Sequence, residues 1–232
     1  MHFQDAAKDA RTVVYAGIQA DPLVGRAADA LCDAPASVRL MARAVMNGES
    51  DDAATWRTMF PTLLGPAVDA GLRTAAESAL GPALEIAAKG TSARDQYRGA
   101  VVEELTARLL ARRTAAVRRE RRVLFDGVPA EIHPYDVTVE AAGRPEVYDC
   151  KWGARGINDD VLHQLDDARR HAADDAIRLP VTLVVLDTAR SCAVRLDRTY
   201  APRDGTAIVT LETIDGIAVA APNPGGPAGT GA

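Results

Sequence analysis

The sequence predicts an α/β protein: an all-helical N-terminal segment followed by a mixed central sheet flanked by helices. Three observations carry this. Residues 1–90 place Ala, Val, Leu and Ile at helical spacing between Asp-Pro, Gly-Pro and Asn-Gly breaks. From about residue 122 onward, short runs alternate in the manner of strands. Between residues 146 and 186 an alternating run, a helical pattern and an unbroken apolar run follow one another, the signature of a right-handed crossover joining parallel strands.

Composition narrows the classes. The chain has 232 residues, 47% hydrophobic and 25% charged, which suits a core domain plus a smaller one and not a disordered chain. Aromatics make up only 4%, so the apolar share rests on Ala, Val and Leu, which favours close helix contacts. A net charge of -5 argues against general coating of nucleic acid, so any such contact is expected to be local. No apolar run is long enough to span a bilayer, and Met1–Asp5 lacks a basic and then apolar leader, so no membrane partner is expected. Cys32, Cys150 and Cys192 form neither a zinc pattern nor a disulfide framework, which fits a reducing cytoplasm. Of 27 basic residues only Lys8, Lys89 and Lys151 are lysines, so a Lys inside a candidate site is unlike the arbitrary surface cation, which here is Arg.

The helical segment, residues 1–90, reads as Asp5–Ala20, a restart at Asp21-Pro22, another at Asp33-Ala34-Pro35, a short helix Ser37–Met46, and a helix capped by Ser50-Asp51-Asp52 that ends before Pro61. Gly65-Pro66 and Gly81-Pro82 punctuate the rest. It carries no chemical motif, and it is expected to serve as an interaction surface, for a second copy or another protein. Gly90-Thr91-Ser92 marks the boundary to a second domain, residues 91–221. That domain opens on a long helix, Ala93–Val117, whose basic end includes Arg112, Arg113, Arg118, Arg119 and Arg122, with Glu120 the only acid between Arg108 and Arg122. These arginines read either as a solvated helix end or as a phosphate-contacting patch.

Strands are expected at Arg122–Phe125, Ala130–Ile132 and Tyr135–Ala141, then a turn at Ala142-Gly143-Arg144-Pro145 and a strand over Glu146–Trp152. Asn158 should cap a helix ended by Leu179-Pro180. Val181–Leu186, Ala193–Leu196, Ala207–Leu211 and Ile217–Ala220 are further strand candidates, and the Pro/Gly-rich residues 222–232 read as a disordered tail.

The chemistry gathers on Glu146–Trp152. Alternation sends Tyr148, Cys150 and Trp152 to a core face and Val147, Asp149 and Lys151 to the other. Twelve residues lie between Asp136 and Asp149, which suits a hairpin that stands the two carboxylates side by side. Such a pair repels itself unless a cation sits between, and oxygen ligands suit Mg²⁺, with Mn²⁺ the substitute. Lys151 would stabilise charge on a phosphate or orient a water. Taken one at a time, each of these residues is as well explained by a solvated strand or a cross-strand ion pair. Glu103 lies on the edge of the apolar stripe of the long helix with Gly99 one turn below, and a carboxylate there needs a partner. Glu104 has Arg108 at i+4, a sufficient structural partner. Gln164 flanks the seam near the start of the following helix.

In that order, Gly99-x-x-x-Glu103, Pro134-Tyr135-Asp136, Asp149-Cys150-Lys151 and Gln164 resemble the PD-(D/E)XK nuclease superfamily, over residues 95–187. The resemblance implies a restriction-endonuclease-like core, with Asp136, Asp149 and Glu103 holding Mg²⁺, Lys151 as catalytic lysine and Gln164 as the accompanying glutamine. It implies phosphodiester hydrolysis, with DNA as the expected substrate, in restriction, phage defence or repair. The alternative is an inactive descendant of the fold that binds nucleic acid or protein.

Overall fold

The computed structural model describes residues 1–7, 10–48, 50, 52–129, 133–201 and 204–219. The chain forms two compact units, residues 8–108 and residues 1–7 with 109–232. The expected strand Ala130–Ile132 and the tail 222–232 lie outside the described residues.

The first unit is helical: α1 (Ala10–Gln19), α2 (Pro22–Cys32), α3 (Ala36–Asn47), α4 (Ala53–Met59), α5 (Pro61–Leu64), α6 (Ala70–Ala87) and most of α7 (Thr91–Ala111). The caps are the ones the sequence suggests. Asp21 accepts the Leu23 N–H at 2.8 Å, and Asp52 accepts those of Ala54 and Thr55. Arg39 of α3 is fully buried, and its guanidinium bonds the Leu31 and Cys32 carbonyls at the end of α2. The Leu31 carbonyl also accepts backbone N–H groups at the helix end, so the guanidinium completes this C-terminal cap and meets the negative end of the helix dipole. Gly81-Pro82 does not interrupt the chain as expected. α6 runs through Pro82, with Leu80 and Ala83 buried on either side, so packing offsets the one lost backbone bond.

The second unit holds a mixed sheet in the order β1-β2-β4-β5-β6-β7. Its strands are β1 (His2–Asp5), β2 (Val117–Phe125), β3 (Val128–Pro129), which pairs with β2, β4 (Tyr135–Ala141), β5 (Arg144–Lys151), β6 (Val181–Val185) and β7 (Thr206–Thr210). Neighbours from β1 to β5 run antiparallel, and β5, β6 and β7 are parallel. Helix α8 (Asp159–Asp174), capped by Asn158, joins β5 to β6, and α9 (Ala189–Leu196) joins β6 to β7. Leu162, Leu165, Ala168 and Ala172 of α8 share a core with Val123, Val147, Val181, Leu183 and Val185.

Four local expectations are corrected. Residues 1–90 are not helical throughout, because His2–Asp5 pairs with β2 and brings Phe3 against the sheet core. The long helix stops at Ala111, and Arg118–Arg122 lie on β2. Ala193–Leu196 belongs to α9, whose cap Thr188 accepts the Ser191 N–H at 3.1 Å. Residues Ile214–Ala218 form a 3₁₀ turn where a strand was expected from Ile217. The Gly90 break separates α6 from α7, whereas the two compact units divide inside α7, between Arg108 and Leu109. Helix continuity is a local property and compactness is not, so one helix belongs to both.

Candidate functional site

The hairpin β4–β5 closes through Ala142-Gly143, with Gly143 at φ 71°, a left-handed conformation that suits glycine. Its register pairs Val137 with Tyr148, so one step further along the strands Asp136 stands opposite Asp149. There the Asp136 carboxylate accepts the Cys150 N–H at 2.5 Å. A side chain thus takes over where the backbone ladder ends.

Asp149 is buried, and Lys151 donates to it at 2.6 Å. Burial pushes the Lys151 ammonium down, but Asp149 and Asp136 overturn that and hold its pKa above the usual lysine range. The amine is therefore a fixed positive charge at neutral pH. The expected division of β5 into a core face and a polar face gives way to burial of both. Val147 sits in the α8 core, Tyr148 and Cys150 are buried on the other side, and Trp152 is half-buried past the strand end.

Glu120 gains a place that its position in the sequence does not suggest. Pairing of β2 with β4 runs from Val117↔Val139 to Arg119↔Val137 and resumes at Arg121↔Tyr135, which leaves Glu120 facing Asp136 at the interruption. Glu120 has φ 51°, rare for a non-glycine residue, and its carboxylate comes within 4.8 Å of that of Asp136. Its only signal in the sequence is its place as the lone acid in an arginine run. Asp136 thus has an acid on each neighbouring strand, Glu120 on β2 and Asp149 on β5. The carboxylate oxygens of Glu120 and Asp136, near enough to share an ion, are the donor type that hard divalent cations take.

Gln164 of α8 is half-buried, and its amide donates to the His133 carbonyl at 3.3 Å, just ahead of Pro134-Tyr135-Asp136. That ties α8 to the entry of β4. His163 is exposed.

Glu103 belongs to the helical unit, where it is buried and its carboxylate already has partners. Tyr15 donates to Oε1 at 2.5 Å and Gln19 to Oε2 at 2.7 Å, both from α1. Gly99 provides the room expected of it, since a methyl group there would stand 3.0 Å from the Tyr15 hydroxyl. Glu104 takes the Arg108 guanidinium at i+4, as its spacing suggests.

The arginine cluster is dispersed. Arg113, one of the expected phosphate contacts, turns inward: its guanidinium grips the Glu146 carboxylate and donates to the Tyr148 hydroxyl at 3.0 Å and the Ile217 carbonyl at 2.8 Å. Arg121 pairs with Glu140 at 2.6 Å and with Asp5. Arg119 and Arg122 are half-buried, while Arg112 and Arg118 are exposed. A strand sends successive side chains to opposite faces, so a run of arginines that would line one turn of a helix is split by β2.

Comparison with protein-family models, with curated proteins and with solved structures found no match. Among the described residues, no helix is long and apolar enough to cross a membrane.

Proposed function

We propose that the chain is a Mg²⁺-dependent nuclease that hydrolyses phosphodiester bonds, with DNA as its substrate. The observation that carries this reading is the placement of Asp136 opposite Asp149, with the Lys151 amine held on Asp149 at 2.6 Å. The order of strand acid, strand acid-x-lysine and helix glutamine supports it, as does a mixed sheet in which β5 and β6 run parallel across α8. This is the arrangement the PD-(D/E)XK resemblance implies, and it supports reading the chain as a restriction, defence or repair nuclease.

In this reading Asp136 and Asp149 hold the ion, Glu120 adds a third carboxylate beside Asp136, and Glu103 is the helix ligand that the resemblance implies. A Mg²⁺ ion held there would supply Lewis acidity toward a phosphoryl oxygen and a water. The chain supplies the rest. Lys151 places a permanent positive charge where negative charge develops on the phosphate, and the buried strand fixes its position before substrate arrives. Gln164 keeps α8 against the entry of β4.

The test is cleavage of supercoiled plasmid and of single-stranded DNA by purified protein. Activity should vanish in EDTA, return with Mg²⁺ or Mn²⁺, and be absent in Asp149→Ala and Asp136→Ala that remain folded. Cleavage that persists in EDTA, or in folded Asp149→Ala, would overturn the reading. A second reading, a non-catalytic nucleic-acid or protein binding module, draws on the internal pairing of Lys151 with Asp149 and of Glu103 with Tyr15 and Gln19. No metal binding and no cleavage would favour it.

DNA contact should now fall to the exposed arginines. Arg112→Ala with Arg118→Ala should lower the slope of log affinity against log salt by roughly 1.8, two contacts at about 0.9 each. Fluorescence anisotropy across a salt series reads this directly, and an unchanged slope removes both residues from the interface.

A further inference from the structure

We propose that Gly156 is a positioning residue for Lys151, with the turn that carries it clamping the lysine stem so that its amine points at Asp149. The inference rests on the role given to Lys151 above.

Gly153 and Gly156 flank and end the short turn that follows β5. The structure gives Gly156 a reason of its own. Its φ is not in the left-handed region, where Gly127, Gly143 and Gly205 lie, so its backbone does not call for glycine. Its surroundings do. A methyl group at position 156 would stand 2.9 Å from Cβ and Cδ of Lys151 and 3.0 Å from Cγ. Carbon atoms in favourable contact sit roughly 3.5–4.0 Å apart, so the stem already fills the space a side chain would need. Cβ is fixed to the backbone of β5, so rotating the lysine side chain cannot relieve the whole clash.

Neither partner is free to move away. Lys151 is the last residue of β5, in register with Val185 of β6, and its carbonyl accepts the Leu186 N–H at 3.0 Å. The turn, Ala154–Gly156, is anchored at each end. Asp187, a buried carboxylate just beyond β6, accepts the Ala154 N–H at 3.0 Å. After the turn, Ile157 is fully buried and its carbonyl accepts Arg195 Nε at 2.7 Å. Within it, the Gly156 N–H bonds the Gly153 carbonyl at 2.8 Å. A flexible four-carbon stem is thus confined between a buried strand and a pinned turn. Lysine loses much rotamer freedom in such a slot, and that cost is met by the fold before any substrate binds.

The test uses Gly156→Ala in the full chain, with two readouts. The first is competitive acetylation by an N-hydroxysuccinimide ester, read by mass spectrometry. The chain has only three lysines, so Lys151 is scored against Lys89 in the same sample. Displacing the stem should raise Lys151 labelling several-fold relative to Lys89. The second is cleavage of supercoiled plasmid DNA with Mg²⁺, where kcat should fall roughly 10²-fold with little change in KM, as expected when a charged group is misplaced by about 1 Å. Gly216→Ala, whose added methyl meets nothing within 4 Å, should change neither. Gly156→Ala that labels and cleaves like the parent overturns the proposal. If Gly156→Ala does not fold, Asp187→Asn serves instead. It weakens the anchor at Ala154 without adding bulk and should raise the same labelling, and parent-like labelling there is equally fatal. If the parent itself does not cleave DNA, the nuclease reading fails, while the labelling still decides whether Gly156 places Lys151.

Discussion

Lys151→Ala should lower Mg²⁺-dependent DNA cleavage by roughly 10²–10³-fold, the usual cost of removing one preorganised charge or donor from a developing oxyanion. The loss should fall on kcat, because the charge matters most where negative charge grows. The Lys151 side chain is about a quarter exposed and its amine is 2.6 Å from Asp149, so it is already oriented and largely desolvated in the free protein. Burial alone would lower its pKa, yet Asp149 and Asp136 raise it, so the group stays charged throughout the neutral range. Lys151→Arg should recover little. A planar guanidinium needs a wider approach than an ammonium, and Gly156 leaves no slack beside the stem. Removing the amine also leaves Asp149, only 6% exposed, without its cation. Lys151→Met, which keeps the stem, is therefore the companion variant, with thermal melts to verify that each is folded. Single-turnover cleavage of plasmid DNA is the measurement, and a folded Lys151→Met within a few-fold of the parent would remove Lys151 from catalysis.

What the sequence reveals of this site follows from how local each relation is. Asp136 and Asp149 belong to one hairpin, and the Ala142-Gly143 turn sets their register, so a correct turn brings the acids opposite each other. Lys151 follows by alternation. The Asn158 cap and the apolar run Val181–Val185 are equally local, and both are found where their patterns put them. Glu120 is different. It reaches Asp136 through the pairing of β2 with β4, at a sequence separation close to that of Asp136 and Asp149, but an arginine-rich run following a helix reads as more helix, so the strand that carries it is missed. His2–Asp5 is a more extreme case, a four-residue strand whose partner, β2, lies more than a hundred residues away. Arg113 reads as a surface cation in the sequence because neither Glu146 nor Tyr148 is near it along the chain. The pattern of residues marked the carboxylates and the lysine. The tertiary pairing decides which of the surrounding charges face inward.

That inward arginine leads to the largest expected change in stability. Glu146→Ala should cost about 3 kcal/mol, near the lower end of the range for breaking a buried ion pair. Glu146 is 5% exposed, and both of its oxygens are used by the Arg113 guanidinium, with the Tyr148 hydroxyl donating to one of them. Burial is the largest influence on Tyr148, and together with Glu146 it pushes the phenol far above its ordinary range, so the hydroxyl stays protonated and remains a donor. Truncating the acid leaves a guanidinium and a phenol facing a cavity, and that desolvation cost sets the size of the effect. The Arg113 side chain is 17% exposed, so water reaches part of the cation, which argues for the lower end. Glu146→Gln keeps the shape and one acceptor and should cost less, about 1–2 kcal/mol. Replacing both partners, Arg113→Met with Glu146→Leu, should be milder than Glu146→Ala alone, because no charge is then left buried. Urea denaturation with an unchanged m-value would measure all three. A Glu146→Ala midpoint equal to that of the parent would show that the pair contributes nothing, and a double variant worse than Glu146→Ala would show that geometry, not charge, is what this network supplies to β5.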